Sequence, residues 1–261
     1  MSGPKEPLGP HFDPMKIAII TGASNGIGRR TALELARRGM GVVLTYHSNE
    51  SNALELVREI GQGAVALKLD LSRKSGFETF AQAVAANLEK VWQRKSFDHL
   101  VNNGGVGGGM RFEDMTDDYF NRVLNTNFVG PFFLTQRLLP LMENGGSIVN
   151  TSSSASRGSS PGYSAYGASK AALTSWTRYL AKELAPRRIR VNAVSPGPVL
   201  TNLGGGAFAK HPEYIQPLAD QTALGRIGQP EDIATVIAAL LSNDCAWITA
   251  QDIEVSGGFM L

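Results

Sequence analysis

The amino-acid sequence predicts one α/β domain, a doubly wound, seven-stranded and mainly parallel sheet with helices on both faces. Three observations predict it. Short apolar runs such as Ile17–Ile20 and Val42–Tyr46 alternate with longer segments of helical periodicity, and strands apolar on both sides belong to parallel sheets covered on both faces. The first run passes through a glycine-rich turn straight into a helix. No repeat of solenoid length and no linker divides the chain after its first residues, so residues 15–261 are expected to form one body.

In chain order, Ile17–Ile20 is the first strand. The helix after it runs from about Ile27 to Arg38, with Ile27, Ala32, Leu35 and Ala36 inward and Gly39 past its end. Val42–Tyr46 is the second strand, Asn49–Ile60 a helix stopped at Gly61, and Ala64–Leu69 a third strand ending at Asp70. A helix from about Ser75 to Lys95 precedes the fourth strand, Phe97–Val101. Thr116 caps the next helix and places Asp117 and Asp118 in its first turn, where the helix dipole favours them. That helix is expected to reach about Met142, kinked at Pro131. Gly146–Asn150, Ile189–Val194 and Ala250–Val255 complete the strands. Between them lie a helix carrying Tyr166 and reaching Ala185, and another that begins after Pro230.

Charge is nearly balanced, with 25 Lys and Arg against 23 Asp and Glu, which gives no case for nucleic acid or an anionic membrane. Cys245 is the only cysteine, so no intrachain disulfide can form and a reducing compartment is expected. No apolar run approaches the roughly 18 residues of a membrane span. Residues 1–14 carry four prolines, two glycines and no apolar block; they are expected to be a disordered tail rather than a signal peptide. A cytoplasmic location follows as an expectation.

Ligands of open parallel sheets bind beyond the carboxyl ends of the strands. After the first strand comes Thr21-Gly22-Ala23-Ser24-Asn25-Gly26-Ile27-Gly28, opening into a helix. Glycines there let the backbone approach a pyrophosphate, and free helix-start amides face the anion. Asp70, before Leu71, either accepts from an adenine amino group or caps the turn with Ser72. In Asn102-Asn103-Gly104-Gly105 the amides can fix the strand end and the glycines admit a ribose; with Gly107–Gly109 the segment also reads as a flexible loop. The fifth strand delivers Ser152, Ser153 and Ser154. Tyr166 and Lys170, four apart, share a helix face, as many surface pairs do. A cation beside a phenol, whose ordinary pKa is about 10, favours the phenolate and suits it to acid–base work. No metal site is expected.

Together these residues resemble the short-chain dehydrogenase/reductase family, over essentially the whole span from Lys16 to Gly258. The motifs Thr-Gly-x-x-x-Gly-x-Gly, Asn-Asn-Gly, Tyr-x-x-x-Lys and Ser195-Pro196-Gly197 occur in the family's order, and Leu224–Ala234 is similar to the segment before its last helix. The resemblance implies a Rossmann fold in which Tyr166 is the general acid/base and Lys170 lowers its pKa and holds the nicotinamide ribose. Ser153, thirteen residues before the tyrosine, matches the substrate-orienting hydroxyl, ahead of Ser152 and Ser154. Asn127 matches the asparagine that supports a water relay, with Asn125 as its competitor. Val199 and Thr201, after Pro196 and Gly197, would contact the nicotinamide amide. Two departures stand out. Gly104 replaces the family's alanine, leaving more room near the cofactor, and Ser256 replaces the aspartate of a closing Asp-Gly-Gly.

An acidic residue at the end of the second strand selects NAD. Here that strand ends Tyr46-His47-Ser48-Asn49, whose hydroxyl and imidazole donors favour NADP(H). Asn25, where many NADP-dependent members carry a cation, and Glu50 nearby argue for NAD(H). The reaction expected is hydride transfer between the nicotinamide and a carbonyl or secondary alcohol, on a ketone, 3-oxoacyl group or quinone. Residues 201–222 would form a substrate lid, and Arg157 would be a solvated charge rather than a carboxylate anchor. The competing reading is a nucleotide-binding regulator of the same fold without catalysis. By resemblance the chain assembles as a homotetramer, or a dimer, through the Tyr166 helix and its predecessor.

Overall fold

A computed structural model describes residues 15–261; the expected tail at 1–14 lies outside the described residues. The strands are β1 (Ile17–Ile20), β2 (Gly41–Tyr46), β3 (Ala64–Lys68), β4 (Phe97–Asn102), β5 (Met142–Thr151), β6 (Arg190–Pro196) and β7 (Asp252–Val255). They form one sheet in the order β3-β2-β1-β4-β5-β6-β7, and every strand pairing is parallel. The chain runs outward from β1 to β3 and then crosses back to β4. That reversal opens a crevice above the carboxyl ends of β1 and β4.

Helices α1 (Gly26–Arg37), α2 (Glu50–Ile60) and α9 (Pro230–Leu241) cover one face, α9 following the short α7 (Leu203–Lys210) and α8 (Ile215–Asp220) in the chain. On the other lie α3 (Phe77–Trp92), α5 (Gly130–Leu138) and α6 (Ser164–Leu184), with α4 (Asp117–Leu124) leading into α5. The two cores divide β1 by alternation: Ile17 and Ile19 face α3 and α6, while Ala18 and Ile20 face α1 and α9. All four are fully buried, which is why β1 reads as an unbroken apolar run. Each Ile or Leu so buried contributes about 1.5–3 kcal/mol. Among the described residues no helix is long and apolar enough to cross a membrane.

The long helix expected from Thr116 to Met142 departs from the sequence reading. Thr116 does cap α4, accepting from the Tyr119 amide at 3.2 Å. At Asn125–Val129, however, the chain makes a π-turn, and α5 ends at Leu138 before a 3₁₀ turn, so β5 already starts at Met142. Pro131 lacks the N–H that an α-turn would send to the Asn127 carbonyl; the ladder widens instead, with the Gly130 amide reaching back to the Asn125 carbonyl. A single extra residue in the turn brings Asn127 inward, where it is 1% exposed. Gly130 is required here, because a Cβ on it would lie 2.2 Å from the Leu71 carbonyl.

Candidate active site

The glycine loop after β1 is held by side chains from two neighbouring strands. Gly22 has φ +66°, and a Cβ on it would lie 2.6 Å from Gly104 Cα; only glycine fits this left-handed close approach. Its amide donates to Thr45 Oγ1 at 3.1 Å. Thr21 Oγ1 accepts from the amides of Asn103 (3.0 Å) and Gly104 (2.9 Å), while Asn103 Nδ2 donates to the carbonyls of Thr21 (3.1 Å) and Gly22 (3.3 Å). Asn103 therefore staples β4 to the loop. Asn25 caps α1 without a side-chain bond, which leaves the first-turn amides facing a cleft of about 590 Å³ lined by Gly22, Ser24, Asn25, Gly26 and Ile27.

The ends of β2 and β3 bound the same cleft through Tyr46, His47, Ser48, Asp70 and Leu71. The Tyr46 hydroxyl donates to Glu50 Oε1 at 2.7 Å, so this carboxylate is engaged at the start of α2 and is not among the cleft-lining groups. Asp70 makes the turn-capping bonds: Oδ1 accepts from the Ser72 amide (2.9 Å) and hydroxyl (2.6 Å). Burial raises its carboxyl, but the Ser72 bonds, with His47 and Arg73 nearby, outweigh that and hold it below its usual value. Gly104 corrects the sequence reading. A Cβ there would meet Leu71 Cδ1 at 2.7 Å, so the space left by the missing methyl is filled by Leu71.

Opposite stand the residues of β5 and α6. Lys170 is 5% exposed; its Nζ donates to the Thr151 carbonyl at 2.8 Å and lies 5.8 Å from the Tyr166 ring centroid. The i,i+4 stack is therefore present. The expected depression of the phenol pKa is not. Burial pushes the Tyr166 phenol up, the Ser153 hydroxyl pulls it back down, and the neighbouring Tyr163 phenol adds to the rise. The lysine yields instead, lowered by burial to about 8. Each group loses solvation for its charged form, and at 5.8 Å the pair does not offset that loss.

The serine run separates by geometry. Ser152 Oγ donates to the Lys170 carbonyl (3.0 Å) and pairs with Thr174 Oγ1 (2.8 Å), tying α6 to β5. Ser153 Oγ accepts from the Ala155 amide at 3.2 Å, caps the 3₁₀ turn Ser154–Ser156 and lies beside Tyr166. Asn127 holds the β4 loop: Oδ1 accepts from the Val106 amide (2.8 Å), and Nδ2 donates to the Val106 carbonyl (3.0 Å) and Ser169 Oγ (3.2 Å). A Cβ on Gly105 would stand 3.0 Å from Asn127 Oδ1 and 3.6 Å from Lys170 Nζ, so glycine keeps open the space beside the lysine.

Pro196, Gly197, Val199 and Thr201 close the far wall. Gly104, Gly105 and Asn103 form the floor between the two halves, so the expected residues meet in one cleft, save that Gly28 and Asn127 act from behind its wall. The cleft also contains Thr45, Thr151, Thr126 and Leu203, none of which the motif reading singled out. Thr21 was legible within the glycine motif, but its role as a double acceptor needed the third dimension. Arg157 is neither free nor an anchor: it pairs with Glu254 at 2.7 Å and approaches Asp252 at 3.8 Å.

Comparison with known proteins agrees with this geometry. Residues 22–260 match the enoyl-(acyl carrier protein) reductase family. An uncharacterized oxidoreductase of Methylorubrum extorquens is 39% identical over 93% of this chain and 97% of its own length. Among solved structures, the promiscuous reductase LugOII, which catalyses keto-reduction at C1 in lugdunomycin biosynthesis, superposes with a TM-score of 0.89 at 37% identity, covering 94% of this chain and 98% of its own. The angucycline C-6 ketoreductase LanV with bound NADP gives 0.89 at 35% identity over 94% and 95%. Sheet order, glycine loop and relatives agree, and the chain belongs to the short-chain dehydrogenase/reductase family of oxidoreductases.

Proposed function

We propose that this protein is an NADP(H)-dependent ketoreductase that acts on a carbonyl borne by a ring system, with Tyr166 as the proton donor. The observation that carries the proposal is the meeting of Tyr166, Lys170 and Ser153 at the end of a cleft whose other end is a glycine loop and uncapped helix start. The residues fit the cofactor. Gly22 lets the phosphate loop lie against the Gly104 backbone, Gly26 keeps a Cβ off Thr201, and Gly105 keeps one out of the space beside Lys170. Ser24, Asn25 and the α1 amides would hold the pyrophosphate. His47 and Ser48 would meet a 2′-phosphate, with Glu50 turned to Tyr46 instead of repelling it. Asp70 and Leu71 would flank the adenine, Lys170 would hold the nicotinamide ribose, and Pro196, Gly197, Val199 and Thr201 would contact the nicotinamide amide. When bound, the cofactor supplies the hydride.

The chain's own part is orientation and a proton. Ser153 Oγ accepts from the Ala155 amide, which leaves its one hydrogen to be shared between the Tyr166 phenol beside it and the carbonyl oxygen. A phenol raised above its ordinary value by burial stays protonated at neutral pH, the state an acid needs to protonate the developing alkoxide. Lys170, which donates to the Thr151 carbonyl, would supply an exchangeable proton behind that phenol. The ring-borne substrate class rests on likeness to reductases of this kind, including LanV bound to NADP and rabelomycin. The segment 201–222, with Leu203 in the cleft wall, would serve as the substrate lid. Exposed Phe120, Phe133 and Tyr179 on α4, α5 and α6 favour assembly through these helices, as a homotetramer; mass measurement in solution tests it.

The deciding experiment titrates NADPH and NADH by fluorescence, then follows NADPH consumption with a panel of ring and open-chain ketones. NADPH should bind at least about tenfold tighter, a difference of about 1.4 kcal/mol, and ring ketones should turn over. Tyr166→Phe should remove turnover by a factor on the order of 10³ and leave NADPH affinity unchanged. Turnover retained in that variant, or NADH preferred, refutes the reading.

A further inference from the structure

Arg157 heads a chain of charged and hydroxyl groups that joins two walls of the site, at Ser153 and at Pro196 and Gly197, to the C-terminal turn. It closes the 3₁₀ turn whose cap is Ser153: the Arg157 amide donates to the Ser154 carbonyl at 3.0 Å, and the Ser156 amide donates to the Ser153 carbonyl at 2.9 Å. Its guanidinium reaches across to β7, pairing with Glu254 Oε2 at 2.7 Å and lying 3.8 Å from Asp252 Oδ2. Asp252 Oδ1 accepts from Ser195 Oγ at 2.6 Å, in the strand that delivers Pro196 and Gly197. Glu254 Oε1 accepts from Ser256 Oγ at 2.7 Å, and Ser256 Oγ in turn accepts from the Phe259 amide at 3.2 Å. Ser256 thus has a partner within the chain at the place where a family aspartate was expected.

As a stability device this chain is a poor one. Arg157 is 49% and Glu254 35% exposed at the side chain, and such pairs add no more than about 1 kcal/mol. Its geometry is specific nonetheless. The two carboxylates stand two residues apart on one face of β7, so one guanidinium engages both, and each carboxylate spends its second oxygen on a serine. The elements so tied are the Ser153 turn, the end of β6 and the C-terminal turn, which meet nowhere else through side-chain charge among the described residues.

We propose that Arg157, with Glu254 and Asp252, is a positioning clamp that holds the Ser153 hydroxyl in register with the cleft wall at Pro196 and Gly197. This rests on the ketoreductase reading of the site. The clamp touches neither substrate nor cofactor; it fixes the turn whose first residue orients the carbonyl, where displacements of an ångström are costly.

The test compares wild type with Arg157→Met, Glu254→Gln and the exchange Arg157→Glu with Glu254→Arg. Two readouts are taken: ketone turnover with NADPH, and hydrogen exchange of the 155–158 amides, which needs no turnover. Arg157→Met and Glu254→Gln should each lower kcat about threefold to fivefold, with NADPH affinity and Tm unchanged, and accelerate exchange at 155–158 by about the same factor while α6 amides stay protected. The exchange of charges should recover more than half of both effects. Unchanged kcat with unchanged exchange overturns the clamp, as does a loss that tracks Tm or NADPH affinity. If wild type binds no NADPH and reduces no ketone, the ketoreductase reading fails; the exchange data then still decide whether Arg157 fixes the turn.

Discussion

His99 offers the sharpest prediction outside the site. It lies in β4 beside Ser147 of β5, is 2% exposed, and among the described residues neither ring nitrogen has a hydrogen-bond partner of good geometry, the Ser147 backbone opposing burial only weakly. Burial lowers its pKa from 6.5 to about 4; Asp98 opposes this, and Lys16 and Arg190 reinforce it. The folded protein therefore keeps the ring neutral over a range in which the unfolded chain takes up a proton. The stability this gives is fully present above pH 6.5 and is lost as the pH falls toward about 4. At about 1.4 kcal/mol per unit, the loss across that window is about 3.5 kcal/mol, a large share of a typical domain's stability. The window lies mostly above that of the carboxylates. Glu34, held down to about 2 mainly by its hydrogen bond to Arg37, with Arg38 assisting against burial, begins to cost stability only below its ordinary value of 4.5. His47 and His211 are exposed. Urea unfolding at half-unit steps from pH 8 to 4.5 should show a stability that falls steadily below pH 6.5, approaching about 1.4 kcal/mol per unit. His99→Leu should flatten the profile and, by removing two unpaired buried nitrogens, match or exceed wild type at pH 7. An equal slope in wild type and His99→Leu would refute the reasoning.

The site makes two further predictions. In Gly28→Ala the new Cβ would lie 2.4 Å from the Gly22 carbonyl and 2.5 Å from Asn103 Nδ2; overpacking costs about 1–3 kcal/mol, and NADPH affinity by fluorescence should fall by about tenfold or more as the loop shifts. Wild-type affinity in that variant would show the close approach to be unimportant. Ser152→Ala and Ser153→Ala should separate structure from chemistry. The first strands the Thr174 hydroxyl and should cost about 1–2 kcal/mol in urea unfolding with kcat nearly kept, whereas the second should lower kcat about 10²-fold or more with Tm nearly kept. The reverse pattern would exchange the roles assigned to the two serines.

The fold was legible in the sequence, because a parallel sheet covered on both faces needs continuous apolar strands, and Ile17–Ile20 and Val42–Tyr46 have no other comfortable place. Most of the residues that line the cleft were legible too. Gly22 is legible because a left-handed turn tolerates little else, and Tyr166 with Lys170 because helical spacing puts them on one face. What the tertiary structure decided depended on partners distant in the chain. The kink expected at Pro131 became a π-turn that brings Asn127 inward, with Gly130 seated where Leu71 leaves no room for a Cβ. Leu71 also claimed the space that Gly104 vacates. Asp70 was divided between two roles until Ser72 closed on it. Arg157 looked like a loose loop charge until β7, nearly a hundred residues later, supplied its carboxylates. Even the Tyr166–Lys170 pair, located by its spacing together with the order of the motifs around it, has its proton affinities set mainly by burial. Spacing is a property of the chain; desolvation is a property of everything folded around it.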